Sequence, residues 1–278
     1  LIQYYIEEKD NRGWKTKIPY GEDRYFELGE FLTSVSGKVT TKEGGALKNI
    51  EIILQSDSAL KDSTDEKGEF FFGELPSKKE YKLFANNEFY DFSPEDVSFE
   101  LQYEPLKVNF TANPKIFSCS GYITDEKESG IQDIKVILKG GRSDTVYSDM
   151  NGYYEINGLK ALDSYRITPE DIIYNFSPLE YEIEKIDADK EQDFYAELKK
   201  FSITGKVLYD KGIPAEGVSV LLSGFAESAE RTNSKGEYTF SSLTASKSYE
   251  LKLEKEYFYN EHSMHRINEL LKDTTADF

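Results

Sequence analysis

Apolar side chains recur at every second position through most of the chain, the spacing of strands that bury one face. Val35, Gly37 and Val39 alternate with Ser36 and Lys38, Tyr154 and Ile156 with Tyr153 and Glu155, and Tyr238 and Phe240 with Glu237 and Thr239. Denser β-branched runs at 50–54, 134–138 and 218–222 predict central strands. Ahead of each alternating segment, Gly68, Gly152 and Gly236 close tight turns that read as hairpins. Glycine accepts the positive φ such a turn needs, and the side chains of Asp65, Asp149 and Asn233, three residues earlier, can accept backbone N–H groups across it. Leu75, Leu159 and Leu243 follow in short turns, and new strands begin at Tyr81, Tyr165 and Tyr249, whose rings are expected to point inward. Pro94 and Pro178, each after Phe-Ser, end strand pairing, and closing strands are expected at Phe110, Phe194 and Phe278.

These elements repeat at one interval. Gly37, Gly121 and Gly205 are 84 and 84 residues apart, and the turn glycines, the leucines, the tyrosines and the closing phenylalanines keep the same spacing. The chain therefore reads as a tandem array with repeats at 31–113, 114–198 and 199–278. One period before Phe110 lies Phe26, followed by Phe31 and Val35, so residues 1–30 read as the C-terminal part of a preceding repeat, an N-terminal hairpin being the alternative. The chain does not begin with Met, and the gene is expected to encode further repeats upstream. A unit of this length can enclose a core of its own, unlike the shorter units of solenoids. About seven short strands per unit predict an all-β fold of tandem seven-stranded sandwiches, arranged as beads on a string.

The order of landmarks carries a resemblance. Ser36-Gly37 with Val39, the run at 50–54, the segment from Thr64 through Gly68 to Phe72, Leu75, Tyr81 with Leu83, Phe92-Ser-Pro94 and the closing Asn-Phe-Thr-Ala at 109–112 recur through the copies. This succession resembles the carboxypeptidase regulatory-like, or transthyretin-like, domain, a group that includes the prealbumin-like, Ig-like repeats of bacterial surface proteins and of the nodal modulator family. The resemblance implies a Greek-key β-sandwich used as a spacer, stalk or assembly module. The third copy departs from it, with Asn260-Glu-His262 in place of Phe-Ser-Pro.

Composition narrows the classes of function. The 20 Tyr and 18 Phe among 278 residues supply core material and argue against disorder despite the charge. A formal net charge of -18 opposes nucleic acid, whose binding needs Lys and Arg to displace counterions. It keeps a surface solvated, calcium being the sharper alternative. No apolar run is long enough to span a membrane. The single cysteine, Cys119, aligns with Val35 and Ile203 and reads as a small core hydrophobe.

Candidate chemistry is sparse. Sandwich domains of pilins and adhesins can join a first-strand Lys to a last-strand Asn or Asp, which invites comparison with Lys38 and Asn109, or Lys206 and Asp277. The second copy has Tyr122 opposite Asp193, and alternation turns Lys38 away from the Val35, Gly37 and Val39 face, both of which weigh against the bond. Asp149, Asn151 and Gly152 echo part of a calcium loop without the closing bidentate Glu. His262 and His265 could ligate a metal from a helix, but the repeat predicts a strand there. Asn109-Phe-Thr111 is a glycosylation sequon if the source is eukaryotic. Tyr90, Tyr174, Tyr257 and Tyr259 could form a sugar-stacking platform or fill cores. Neither a Ser-His-acid set nor a phosphate loop is present in the sequence.

The expected function is a non-catalytic spacer, stalk or filament segment of a larger secreted or cell-surface protein. An adhesin or carbohydrate-binding array is the alternative. No catalytic residue, metal or cofactor is assigned. The expected partners are other repeats of the chain, neighbouring surface proteins or glycans, with no nucleic acid and no membrane contact from this segment. The expected location is extracellular or cell-surface, or alternatively the lumenal side of the endoplasmic reticulum. Connectors at 110–117 and 194–201 have equal length and little Gly or Ser, which predicts stiff joints and a rod on the order of 90 Å for three units.

Overall fold

The computed structural model describes residues 31–254 and 264–278. Residues 1–30, Tyr257, Tyr259, Asn260 and His262 lie outside them, as do the expectations placed there. The first repeat forms β1 (Leu32–Thr41), β2 (Glu51–Gln55), β3 (Ala59–Ser63), β4 (Glu69–Pro76), β5 (Lys79–Asn86), β6 (Tyr90–Ser93), β7 (Asp96–Leu101), β8 (Leu106–Lys107) and β9 (Phe110–Pro114). One sheet runs β4-β1-β9-β6, with β8 also on β1, and the other runs β3-β2-β5-β7. The second repeat reproduces both sheets strand for strand. In the third, the described residues give a three-stranded and a four-stranded sheet, plus a small ribbon of Leu208–Tyr209 with Ile213–Pro214. The architecture is all-β, as the alternation implies, with β3 and the two-residue β8 added to the expected seven strands.

Inward-facing residues of the two sheets meet in a core. In the first repeat Val35 and Val39 of β1, Ile52 and Leu54 of β2, Leu83 of β5 and Phe110 of β9 are inaccessible or nearly so. Full burial of each such side chain contributes about 1.5–3 kcal/mol. Separate clusters gather around Cys119, Tyr154 and Phe194, and around Ile203, Tyr238 and Tyr249. One ring pair recurs: Phe70 with Phe110 at 6.4 Å, Tyr154 with Phe194 at 6.0 Å and Tyr238 with Phe278 at 6.3 Å between centroids. Phe278 keeps this place although it lies past the last assigned strand, Thr274–Thr275.

Four local expectations change. The turn closed by Gly68 is tight, with Gly68 N–H donating to Asp65 O at 2.9 Å, but it joins β3 of one sheet to β4 of the other and so is an arch, not a hairpin. Thr64 sets that geometry. Its buried hydroxyl accepts from Ile50 N–H at 2.9 Å and donates to Leu47 O at 2.7 Å, pinning the end of β3 beside the entry to β2. Ser148 and Thr232 do the same, and these three are the buried polar side chains among the described residues. Second, Leu75 lies within β4, because the left-handed residue Glu74 makes a bulge that shifts the register between Thr33 and Val35; Gly158 and Ser242 repeat the conformation. Third, the segments at 140–144 and 226–230, whose differing sequences read as one loop position in the second and third copies, are not wholly loops, since strands begin at Asp144 and Ser228.

The fourth change concerns the connectors, which are strand almost throughout. β9 ends at Pro114 and the next strand begins at Ile116, and Leu198 is followed by a strand from Lys200. Lys199, the one residue between, donates its N–H to Ile173 O at 2.7 Å and accepts from Ala245 N–H at 2.9 Å. By compactness the chain divides into two units. One comprises residues to Ile116 with Lys160–Leu162, and the other Phe117–Leu159 with Asp163–Phe278.

Candidate functional site

Polar side chains with recurring partners concentrate at the seam between the first and last strands of each repeat. There β1 pairs in parallel with β8 (Val35↔Leu106, Ser36↔Lys107) and then with β9 (Val39↔Phe110). The two are bridged at Val108, whose N–H donates to Ser36 O at 2.9 Å. A Cβ on Gly37 would lie 1.6 Å from Val108 O, and one on Gly121 or Gly205 would lie 1.8 Å from Gln192 O or Ala276 O. The recurring glycine is therefore fixed by the close approach of the last strand.

Side chains close the interruption. Asn109 Oδ1 accepts from Lys38 N–H at 3.0 Å, Asp193 Oδ1 from Tyr122 N–H at 2.7 Å and Asp277 Oδ1 from Lys206 N–H at 2.7 Å. Four residues before these acids, Asp189 accepts from Ser118 N–H and Asp273 from Ser202 N–H, both at 2.7 Å, where the first copy has Pro105. Tyr154 donates its hydroxyl to Gln192 O at 2.6 Å, Tyr238 bonds Ala276 O in the same way, and the first copy has Phe70 there. Burial pushes both phenols well above their ordinary pKa, with Asp193 adding to the effect at Tyr154 and Asp277 at Tyr238, so each stays a donor.

The residues singled out from sequence fall around this seam without forming a reactive set. Lys38 Nζ pairs with Glu69 at 2.8 Å and Lys206 Nζ with Glu237 at 3.2 Å, so the ammonium groups face the neighbouring strand while the Asn and Asp oxygens take backbone N–H groups. Asp149 Oδ1 accepts from Asn151 and Tyr153 N–H at 2.8 and 2.9 Å, and Asp65 and Asn233 repeat the arrangement, which spends these oxygens on the turn. Among the described residues no three His, Cys, Asp or Glu side chains are grouped to hold a metal. His265 lies on the strand Met264–Ile267, its Nε2 2.6 Å from Asp277 O and its ring edge-on to Phe278. Cys119 is fully buried, and burial pushes its thiol up to about 11. Tyr90 and Tyr174 pack half-buried against their cores. Among the described residues no helix is long and apolar enough to cross a membrane. The seam acids Asp189 and Asp273 and the buried hydroxyls went unread in the sequence, although the repeat spacing marks both sets.

No family model matches the chain. Over 196 residues, 68% of its length, it is 27% identical to chitinase ChiA of Flavobacterium johnsoniae, and the match spans 12% of that enzyme. Among solved structures, the Bacillus anthracis TIE protein aligns over 88% of this chain and 50% of its own at 12% identity, with a TM-score of 0.53. The major pilin subunit of Bacillus cereus aligns over 88% and 99% at 10% identity, with a TM-score of 0.31, too loose a likeness to bear on the fold. The fold is thus an all-β sandwich of paired sheets. The chain spans about an eighth of the chitinase and half of the TIE protein.

Proposed function

We propose that the chain is a non-catalytic, tension-carrying spacer built from three carboxypeptidase regulatory-like repeats, part of a larger secreted or cell-surface protein. One observation carries the reading: the first and last strands of a repeat are parallel neighbours. The chain enters at the start of β1 and leaves at the end of β9, at opposite ends of their seam. Tension between those points shears the seam, loading its hydrogen bonds together instead of opening them one by one. Single-residue breaks between repeats leave little slack to absorb the pull. The lumenal side of the endoplasmic reticulum is the alternative location, and neighbouring surface proteins or glycans are the partners such a spacer would meet.

The test is single-molecule stretching of the full chain from its two ends. Separate unfolding peaks with contour increments on the order of 26 nm are expected, from about 84 residues at ~3.4 Å each less a folded span of about 30 Å. Featureless extension at forces no higher than those of a peeling geometry refutes the reading. A second reading, a carbohydrate-recognising array, is favoured by the similarity to a segment covering 12% of a chitinase.

A further inference from the structure

The second compact unit contains a cleft of ≈ 390 Å³, within the size range of small-ligand sites, formed by the second and third repeats. Three aromatic rings line it. Tyr174 is half-buried, while Tyr195 is 42% and Phe225 58% exposed, so two rings offer open surface inside a recess. Phe225 is held in place: its N–H donates to Ser248 O at 3.1 Å and Lys247 Nζ sits 5.2 Å from its ring centroid. The sandwich does not require these rings. One repeat interval earlier, Tyr195 corresponds to Thr111 and Phe225 to Gly141.

Charge selects the ligand class. In a chain of net charge -18, this lining balances Asp125, Glu126 and Glu197 against Lys127, Lys200 and Lys247. A site for a polyanion or a polycation would carry a dominant sign. Carboxylate acceptors and ammonium donors in equal number beside open ring faces suit a neutral polyol, whose hydroxyls both donate and accept and whose C–H faces stack on rings. Part of this polar set is already fixed: Asp125 Oδ1 accepts from Lys127 and Ser129 N–H at 2.9 Å, and Lys200 Nζ donates to Thr244 Oγ1 at 2.9 Å.

We infer that this cleft binds a neutral oligosaccharide, with Tyr195 and Phe225 as stacking platforms. The inference is independent of the tensile role and rests on the recognition reading, to which it supplies a site. The test titrates the full chain with cellohexaose, xylohexaose and N-acetylchitohexaose by calorimetry and saturation-transfer NMR. At least one should bind, and Tyr195→Thr and Phe225→Gly, the residues found one repeat interval earlier, should each weaken binding by about tenfold or more. Phe225→Ala covers the case in which the glycine variant perturbs the turn between the strands Ser219–Gly224 and Ser228–Arg231, and Tyr147→Ala, at an exposed ring outside the cleft, should leave binding unchanged. Binding unaffected by the cleft variants overturns the site while leaving the recognition reading in place. No binding of any hexasaccharide by the unaltered chain at about 10 mM overturns both.

Discussion

Replacing Thr232 by Val tests whether one buried hydroxyl holds the arch of the third repeat. The side chain keeps its shape but loses an oxygen that accepts from Val218 N–H at 2.9 Å and donates to Ala215 O at 2.6 Å. Both backbone groups belong to residues withdrawn from water. Leaving each without a partner costs about 1–3 kcal/mol, about 2–6 kcal/mol together. The added methyl returns about 1 kcal/mol by burial, so a net loss of about 3 kcal/mol is expected. Hydrogen exchange read by mass spectrometry localises it. Protection of peptides covering 215–222 should fall by about two orders of magnitude, since ~1.4 kcal/mol is tenfold, while those covering 47–54 and 131–138 stay as they were. Thr232→Ser should keep most of the protection, because Ser148 already performs the role in the second repeat. Unchanged protection in the Val variant, or an equal loss in all three repeats, refutes the reasoning.

Phe70→Tyr should strengthen the first seam by about 0.5–1.5 kcal/mol, because the equivalent Tyr154 hydroxyl donates to a last-strand carbonyl; slower exchange of amides at 36–39 is the readout, and faster exchange counts against it. Cys119 should resist a maleimide at pH 8 and react fully only in denaturant, since the thiol is buried and its pKa is pushed up to about 11; rapid labelling of the folded chain would contradict this. Acidification should loosen the first arch and leave the third as it is. Backbone N–H groups of Glu69 and Lys67 hold Asp65 below its ordinary value of 3.8, so the stability it contributes is present above that pH and lost as pH falls through the lowered folded-state pKa. The third arch has Asn233 in the same place and should not follow, which NMR of the Lys67, Glu69, Lys235 and Glu237 amides would check.

Side-chain alternation made β1 and β4 legible, because each buries one face and fixes its register by doing so, while the β-branched run at 50–54 marked β2 and the recurring Tyr81 marked β5. It could not reveal β3, whose Ala59–Ser63 is largely exposed and is held as a strand by backbone pairing to β2 (Glu51↔Ser63 to Gln55↔Ala59). The turn glycines announced a reversal, but whether the chain returns to its own sheet or crosses to the other depends on where Thr64 finds its backbone partners, and those lie fourteen and seventeen positions away. Phe70, Tyr154 and Tyr238 read alike as core rings; only the parallel approach of the last strand puts a carbonyl at the ring tip, where a hydroxyl matters. The cleft was less legible still. Tyr195 and Phe225 belong to different repeats, and their one mark in the sequence is departure from the period, Thr111 and Gly141 being their counterparts.

What varies along the seam indicates what it requires. Asn109, Asp193 and Asp277 differ in charge yet make the same bond, so the requirement is an oxygen that accepts a backbone N–H. The residues supplying that N–H are Lys38, Tyr122 and Lys206, and a backbone donor is indifferent to their side chains. A covalent Lys link would demand lysine in all three copies and would turn its ammonium toward the acid, whereas Lys38 and Lys206 face Glu69 and Glu237. Hydrogen bonds that shear can re-form without chemistry. In the proposed spacer role a seam secured in this way would yield under excess force and re-form afterwards, and the glycines that admit the closing strand are the part of the seam that cannot change.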